Sequence, residues 1–97
     1  MAYATSNPPR PILSFPYSDG SSDLAKTFWA YIDGDAAATV RVSGYITDAN
    51  KLGMKDGDLL FHYDTGNKIW NTYTVLISGT TYDLSDATVV GSSTDSD

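Results

Sequence analysis

The amino-acid sequence predicts a small all-β domain. The expected form is an antiparallel barrel or sandwich with an extended proline-rich N-terminal arm and a mobile C-terminal tail. Three observations carry this. The 97 residues include twelve Asp but no Glu, Gln or Cys. Glu and Gln are strong helix formers, whereas Asp, Asn, Ser, Thr and Gly favour caps, turns and strands. Those five types supply close to half of the chain, which argues against a helical bundle or coiled coil. All four prolines, Pro8, Pro9, Pro11 and Pro16, lie near the start. Short apolar runs separated by Asp-Gly, Gly-Asn and Ser-Gly steps follow them, as strands separated by tight turns do.

Residues 1–24 read as an extended arm and linker. Each X-Pro step pushes its neighbour toward extended or polyproline backbone, and residues 5–17 reach roughly 40 Å at about 3.1 Å per residue. The arm also carries Ile12, Leu13, Phe15 and Tyr17, more large apolar groups than a plain linker holds. These must dock on their own domain, a sister copy or another protein. Together with Pro8, Pro9 and Pro11 they are the expected partner-binding residues.

Residues 25–90 read as the β domain. Thr27–Ile32 forms a strand ending at Asp33-Gly34, with Phe28, Ala30 and Ile32 as the expected core face and Trp29 and Tyr31 opposite. Thr39–Val42 alternates as a strand should, and Tyr45-Ile46 continues it after a bulge at Gly44. Residues 47–53 form one helical turn, with Thr47 or Asp48 at its start and Gly53 as a left-handed stop. Asp56-Gly57 turns into the strand Leu59–Tyr63, with Leu59, Phe61 and Tyr63 on one face. Asp64–Asn67 is a hairpin loop. Lys68–Ile77 is the longest strand, with Ile69, Tyr73, Val75 and Ile77 facing one way. After the turn Ser78–Thr80, Thr81–Leu84 returns, and Ala87–Val90 is a last short strand. Residues 91–97 lack large apolar groups and form the tail. The chain has no internal repeat.

Composition narrows the function. The net charge is −6 and the pI about 4.3. The six basic residues are scattered, which disfavours binding to nucleic acid or to an anionic membrane. No apolar run approaches the roughly 20 residues of a spanning helix, and the N-terminus lacks the charged and apolar regions of a secretory signal. The absence of Cys excludes thiol chemistry. The single His, His62, is expected at a strand surface or rim rather than as a general base. No phosphate-binding loop is present, so an enzyme is not expected and no cofactor or catalytic residue is assigned. Asp-Gly-Asp occurs at 33–35 and 56–58, and calcium favours such clusters. Neither copy continues as a calcium loop, and Asp-Gly is a common turn, so turn chemistry is favoured and no metal is assigned. Most Asp residues read as punctuation between strands. Trp29, Tyr31 and Trp70 alternate opposite the expected core residues and are candidates for an exposed aromatic interface, ahead of a sugar-stacking site.

Several segments carry a resemblance. The opening Met1-Ala2-Tyr3-Ala4-Thr5-Ser6-Asn7-Pro8-Pro9 is similar to the start of small virion proteins of tailed phages. The stretches Trp29-Ala30-Tyr31-Ile32-Asp33-Gly34-Asp35, Gly44-Tyr45-Ile46-Thr47 and Leu52-Gly53-Met54-Lys55-Asp56-Gly57-Asp58-Leu59 follow the same order and spacing. Over residues 1–61 the chain resembles proteins of the head fibre or capsid decoration type. The resemblance implies a structural virion protein on the phage head surface, present in host cytoplasm before assembly. Its partners would be the major capsid protein and further copies of itself, with trimers on local threefold axes. A head fibre, tail or baseplate component and a carbohydrate-binding module for host attachment are the alternatives.

Overall fold

The computed structural model describes residues 3–15 and 25–92. The side chain of Phe15, all of Tyr17 and the tail beyond residue 92 lie outside the described residues. The chain is mostly β. Its strands are β1 (Arg10–Phe15), β2 (Lys26–Asp33), β3 (Leu59–Asp64), β4 (Ile69–Ser78), β5 (Thr81–Leu84) and β6 (Thr88–Gly91). They form one sheet in the order β1-β2-β3-β4-β5, with β6 also paired to β4.

The sheet is mixed where a wholly antiparallel one was expected, because β2 and β3 run parallel with Phe28 beside Leu59 and Asp33 beside Asp64. Parallel neighbours need a crossover of a dozen or more residues, and residues 34–58 supply it. This explains two departures from the sequence pattern. Residues 39–42 are not a strand: Ala37–Val40 forms a single helical turn, α1, followed by hydrogen-bonded turns. Its start is Ala-rich, and Ala has the highest helix propensity. Tyr45 and Ile46 continue the crossover instead of extending a strand. The second helical turn, α2 (Ala49–Leu52), stands where the sequence places it, with Gly53 in the left-handed region at φ 86°. Asp48 does not cap it through its side chain; its Oδ1 accepts the Tyr3 hydroxyl at 2.5 Å.

The crossover covers one face of the sheet, and the core lies between them. Trp29, Tyr31, Leu60, Tyr73, Val75 and Leu84 point inward from the strands, against Val40, Ile46, Ala49 and Met54 from the crossover. Two expectations about faces are therefore corrected. Trp29 and Tyr31 are 4% and 2% exposed, while Ile32 on the opposite face is 53% exposed. In β3 the buried set is Leu60, His62 and Asp64, and Leu59, Phe61 and Tyr63 face outward. The physical reason is that polar groups on the inner face find partners in the crossover, in neighbouring strands and in the β3–β4 hairpin, so the less apolar face could be the one covered. β4 follows its sequence pattern, with Tyr73 and Val75 buried.

The expected arm is partly built into the domain. β1 pairs antiparallel with β2, with an irregularity between Pro11 and Leu13. Pro11 suits an edge strand, where a missing N–H breaks no ladder. Ahead of it, Pro9 is buried and Tyr3 packs on the core. The Tyr3 ring lies 5.6 Å from that of Tyr45 and 6.0 Å from that of Tyr31. Asn7 donates its side-chain amide to the Ile32 carbonyl at 2.8 Å. Ile12 and Leu13 remain 61% and 55% exposed.

Candidate functional site

The densest cluster of chemically capable side chains lies at the carboxyl ends of β2 and β3, the parallel pair. Alternation points Tyr31 and Asp33 inward from β2 and His62 and Asp64 inward from β3. The turn after β2 brings Asp35 alongside, and the crossover delivers Tyr45 from above.

His62 stands at the centre and is fully buried, which corrects the surface or rim position expected for it. Its Nε2 lies 2.8 Å from Asp33 Oδ1 and its Nδ1 lies 3.1 Å from the Tyr73 hydroxyl. A carboxylate only accepts, so Nε2 is the donor toward Asp33. The Tyr31 ring stacks on the imidazole at a centroid distance of 5.4 Å.

Asp33 is held by four groups. Besides His62, it accepts the Tyr31 and Tyr45 hydroxyls on Oδ2, each at 2.7 Å, and the Asp35 N–H on Oδ1 at 3.1 Å. Burial by itself raises a carboxyl pKa, but the hydrogen bonds from Tyr45, Tyr31 and His62 outweigh it and hold Asp33 below its ordinary value. Tyr45 also approaches Asp35 Oδ2 at 2.5 Å and the Tyr31 hydroxyl at 2.9 Å. One phenolic proton thus serves two carboxylates. Tyr31 and Tyr45 are pushed well above the ordinary phenol range, first by burial; for Tyr31 the bond with Tyr45 offsets part of this and the Asp33 bond adds to it, while for Tyr45 the bonds with Asp35, Tyr31 and Asp33 all add to it. Tyr73 is raised to about 12, mainly by burial, with the charges of Asp33 and Asp64 adding to it.

Asp64 lies beside Asp33 in the register but has separate partners. It accepts the Gly66 and Asn67 N–H groups at 3.0 and 3.2 Å and the Asn67 side-chain amide at 2.8 Å. These bonds outweigh its burial and lower its pKa. At the other end of the sheet Asp58, 1% exposed, accepts the Thr27 N–H, the Trp29 indole N–H and the Lys55 N–H at 3.0, 3.0 and 2.9 Å. Both Asp-Gly-Asp segments are thus turns whose carboxylates bind donors of the chain itself. Among the described residues no group of three His, Asp or Glu side chains is placed to hold a metal ion, and no buried side-chain polar atom lacks a partner.

The arrangement is a closed polar network rather than an open reactive site. A general base must reach a substrate proton, and His62 is sealed by Tyr31, Tyr73 and Asp33. Large apolar groups do face outward, among them Ile32, Trp70 and Leu76. Of the aromatic residues expected outside, Trp70 alone is there, 40% exposed, with its ring 4.9 Å from that of Tyr63 and tilted by 45°. Of the expected arm residues, Ile12 and Leu13 are exposed, Pro8 is half-buried and Pro9 is buried. Pro11 is exposed within β1. Sequence reasoning missed the partnership of Tyr31, Asp33, Tyr45 and His62. The polar residues alternating with Tyr31 and Leu60 were its one local signal; Tyr45 joins only through the crossover. Neither a protein-family model, nor a curated protein, nor a solved structure matches this chain.

Proposed function

We propose that the protein is a non-catalytic structural component of a virion, of the capsid decoration type. It would bind the major capsid protein on the outer face of a tailed-phage head and stabilise the shell. The observation that carries this reading is the state of the N-terminal segment. Residues 3–11 are anchored through Tyr3, Asn7 and Pro9, yet the same segment presents Ile12 and Leu13 to solvent on an edge strand. Large apolar groups held outward on fixed backbone suit a grip on a neighbouring protein, because little conformational entropy remains to be lost on docking. The inward orientation of His62 and its carboxylates supports an interaction role in the same way. Repetition over a shell turns modest single contacts into firm attachment.

Imaging purified particles, with copies counted, tests the assignment. Copies covering the head support it; a handful at the tail would shift it to a tail or baseplate role, and none would remove it. Ile12→Ser with Leu13→Ser should strip the protein from the shell without unfolding it. A glycan-binding role finds less support, since the 45° tilt between Tyr63 and Trp70 does not offer the flat platform on which sugar rings stack.

A further inference from the structure

The two faces of the sheet are unequal in an unusual sense. The covered face holds His62, Asp33, Asp64 and Asn71. On the other face, β2, β3 and β4 present positions 28, 30 and 32, then 59, 61 and 63, then 70, 72, 74 and 76. None of these is charged. Register aligns Ile32, Tyr63 and Trp70 in one row and Ala30, Phe61 and Thr72 in the next. Ile32, Trp70 and Leu76 are all substantially exposed. The outward face is thus the more apolar of the two.

We propose that this face binds a second copy of the same chain, two sheets packing face to face about a two-fold axis parallel to the strands. The first argument is architectural. Stable domains bury apolar faces between two layers, and here the outward face leaves Ile32, Trp70 and Leu76 substantially open to solvent. Two copies would supply the sandwich that the alternation pattern predicts, with each chain contributing one sheet.

The second argument is area. Three strands about 4.8 Å apart and six residues long at about 3.3 Å each give a flat face of about 300 Å². Side-chain relief and the flanking residues raise this to roughly 500 Å² per copy, or about 1,000 Å² for the pair, the lower bound of a specific interface. A face of this size suits a concentration-dependent dimer rather than an obligate one.

The third argument is charge. Copies carrying −6 each repel, and an uncharged centre is where they approach at least cost. The rim is complementary as well. The row beyond Leu59 holds Lys26, Gly57, Leu76 and Asp83: the Lys26 Cε lies 2.9 Å from where a Cβ on Gly57 would stand, the Gly57 N–H bonds to the Val75 carbonyl, and Leu76 pairs with Asp83. A two-fold axis between β3 and β4 lays β2 over the partner's β5. It thereby sets Lys26 against the partner's Asp83, twice per dimer. In such a pairing every contact between two residues occurs twice, so one favourable pair counts double.

Sedimentation of the isolated full-length protein between about 1 and 200 µM tests this, and it does not rest on shell attachment. The expected result is a shift from the 10.4 kDa chain to twice that mass. Ile32→Asp and Trp70→Asp, both at exposed positions, should each weaken association by at least about tenfold while leaving far-ultraviolet dichroism unchanged. Lys26→Asp should weaken it too, and Lys26→Asp combined with Asp83→Lys should restore it. A single-chain mass at the highest concentration overturns the proposal. So does a trimer, a dimer indifferent to both face substitutions, or a charge swap that restores nothing.

Discussion

Trp29 donates its indole N–H to Asp58 Oδ2 at 3.0 Å, across 29 residues of sequence. The bond lets a tryptophan that alternates with Phe28 and Ala30 turn inward with its polar atom satisfied. Asp58 also takes the N–H groups of Thr27 and Lys55, so one carboxylate ties the start of β2 to the turn before β3. Replacing Asp58 with Ala leaves three donors without their acceptor, the Trp29 indole N–H buried and the Thr27 and Lys55 N–H groups partly open to water. An unmade buried bond costs about 1–3 kcal/mol, so Asp58→Ala should lose about 2–4 kcal/mol, and Asp58→Asn somewhat less, because the amide keeps one acceptor oxygen. Urea unfolding followed by tryptophan fluorescence measures both.

His62 links Asp33 to Tyr73 inside the core. Substituting it with Phe keeps a ring between Tyr31 and Tyr73 but takes one of its four donors from Asp33 and the imidazole partner from the Tyr73 hydroxyl. The expected loss is about 2–4 kcal/mol, with the fold retained at low temperature. If His62→Phe unfolds at the same urea concentration as the parent, the network contributes nothing to stability.

Much of this architecture can be read from local signals, and much cannot. The Gly53 stop, the Asp64–Asn67 hairpin, the β4 alternation and the turn between β4 and β5 are decided by residues close in sequence, and each lies where the pattern puts it. The inward faces of β2 and β3 are not local. Alternation identifies two faces, and the rule that the more apolar one is buried selects Phe28, Ala30 and Ile32. The crossover reverses that choice, because Tyr45 and the turn carrying Lys55 bring partners for Asp33, Trp29 and Asp58 that no window of a few residues contains. The parallel pairing of β2 with β3 is hidden for the same reason. Residues 39–42 alternate like a strand, but the connection needs helical turns there.

Acid should destabilise the protein through two carboxylates. Asp33 and Asp64 have folded-state pKa values below their ordinary value. Such groups contribute stability that is fully present above the unfolded value of about 3.9 and is lost as pH falls through the folded value. Thermal midpoints measured from about pH 7 to pH 2 should be level at first and then decline below about pH 4. Asp33→Asn or Asp64→Asn should lower the neutral-pH plateau and flatten the acid decline.

Alkali should act in the opposite sense through the tyrosines. Tyr3, Tyr31, Tyr45 and Tyr73 all have raised folded-state values, Tyr73 to about 12. A raised value means that stability is intact below the unfolded phenol value of about 10 and is lost as pH climbs from there toward the folded value. Tyrosinate absorbance from Tyr3, Tyr31, Tyr45 and Tyr73 should therefore appear only above the ordinary phenol value, together with loss of far-ultraviolet dichroism. A single smooth titration of all seven tyrosines with the fold intact would contradict this.

Removing the N-terminal segment tests whether it is an arm or part of the body. Read as an arm, residues 1–17 should be dispensable for folding. The structure changes that expectation. Deletion removes β1 and uncovers the long edge of β2, and an exposed flat edge invites pairing between chains. It also removes the Tyr3 ring from Tyr31 and Tyr45 and leaves Asp48 without its hydroxyl partner. The truncated chain should unfold at a markedly lower denaturant concentration, or aggregate, rather than persist as a stable domain. Tyr3→Phe isolates the hydroxyl: it keeps the packing, breaks the bond to Asp48, and should cost about 1 kcal/mol. A truncated chain as stable as the full one would show that Tyr3, Pro9 and β1 rest on the domain without supporting it.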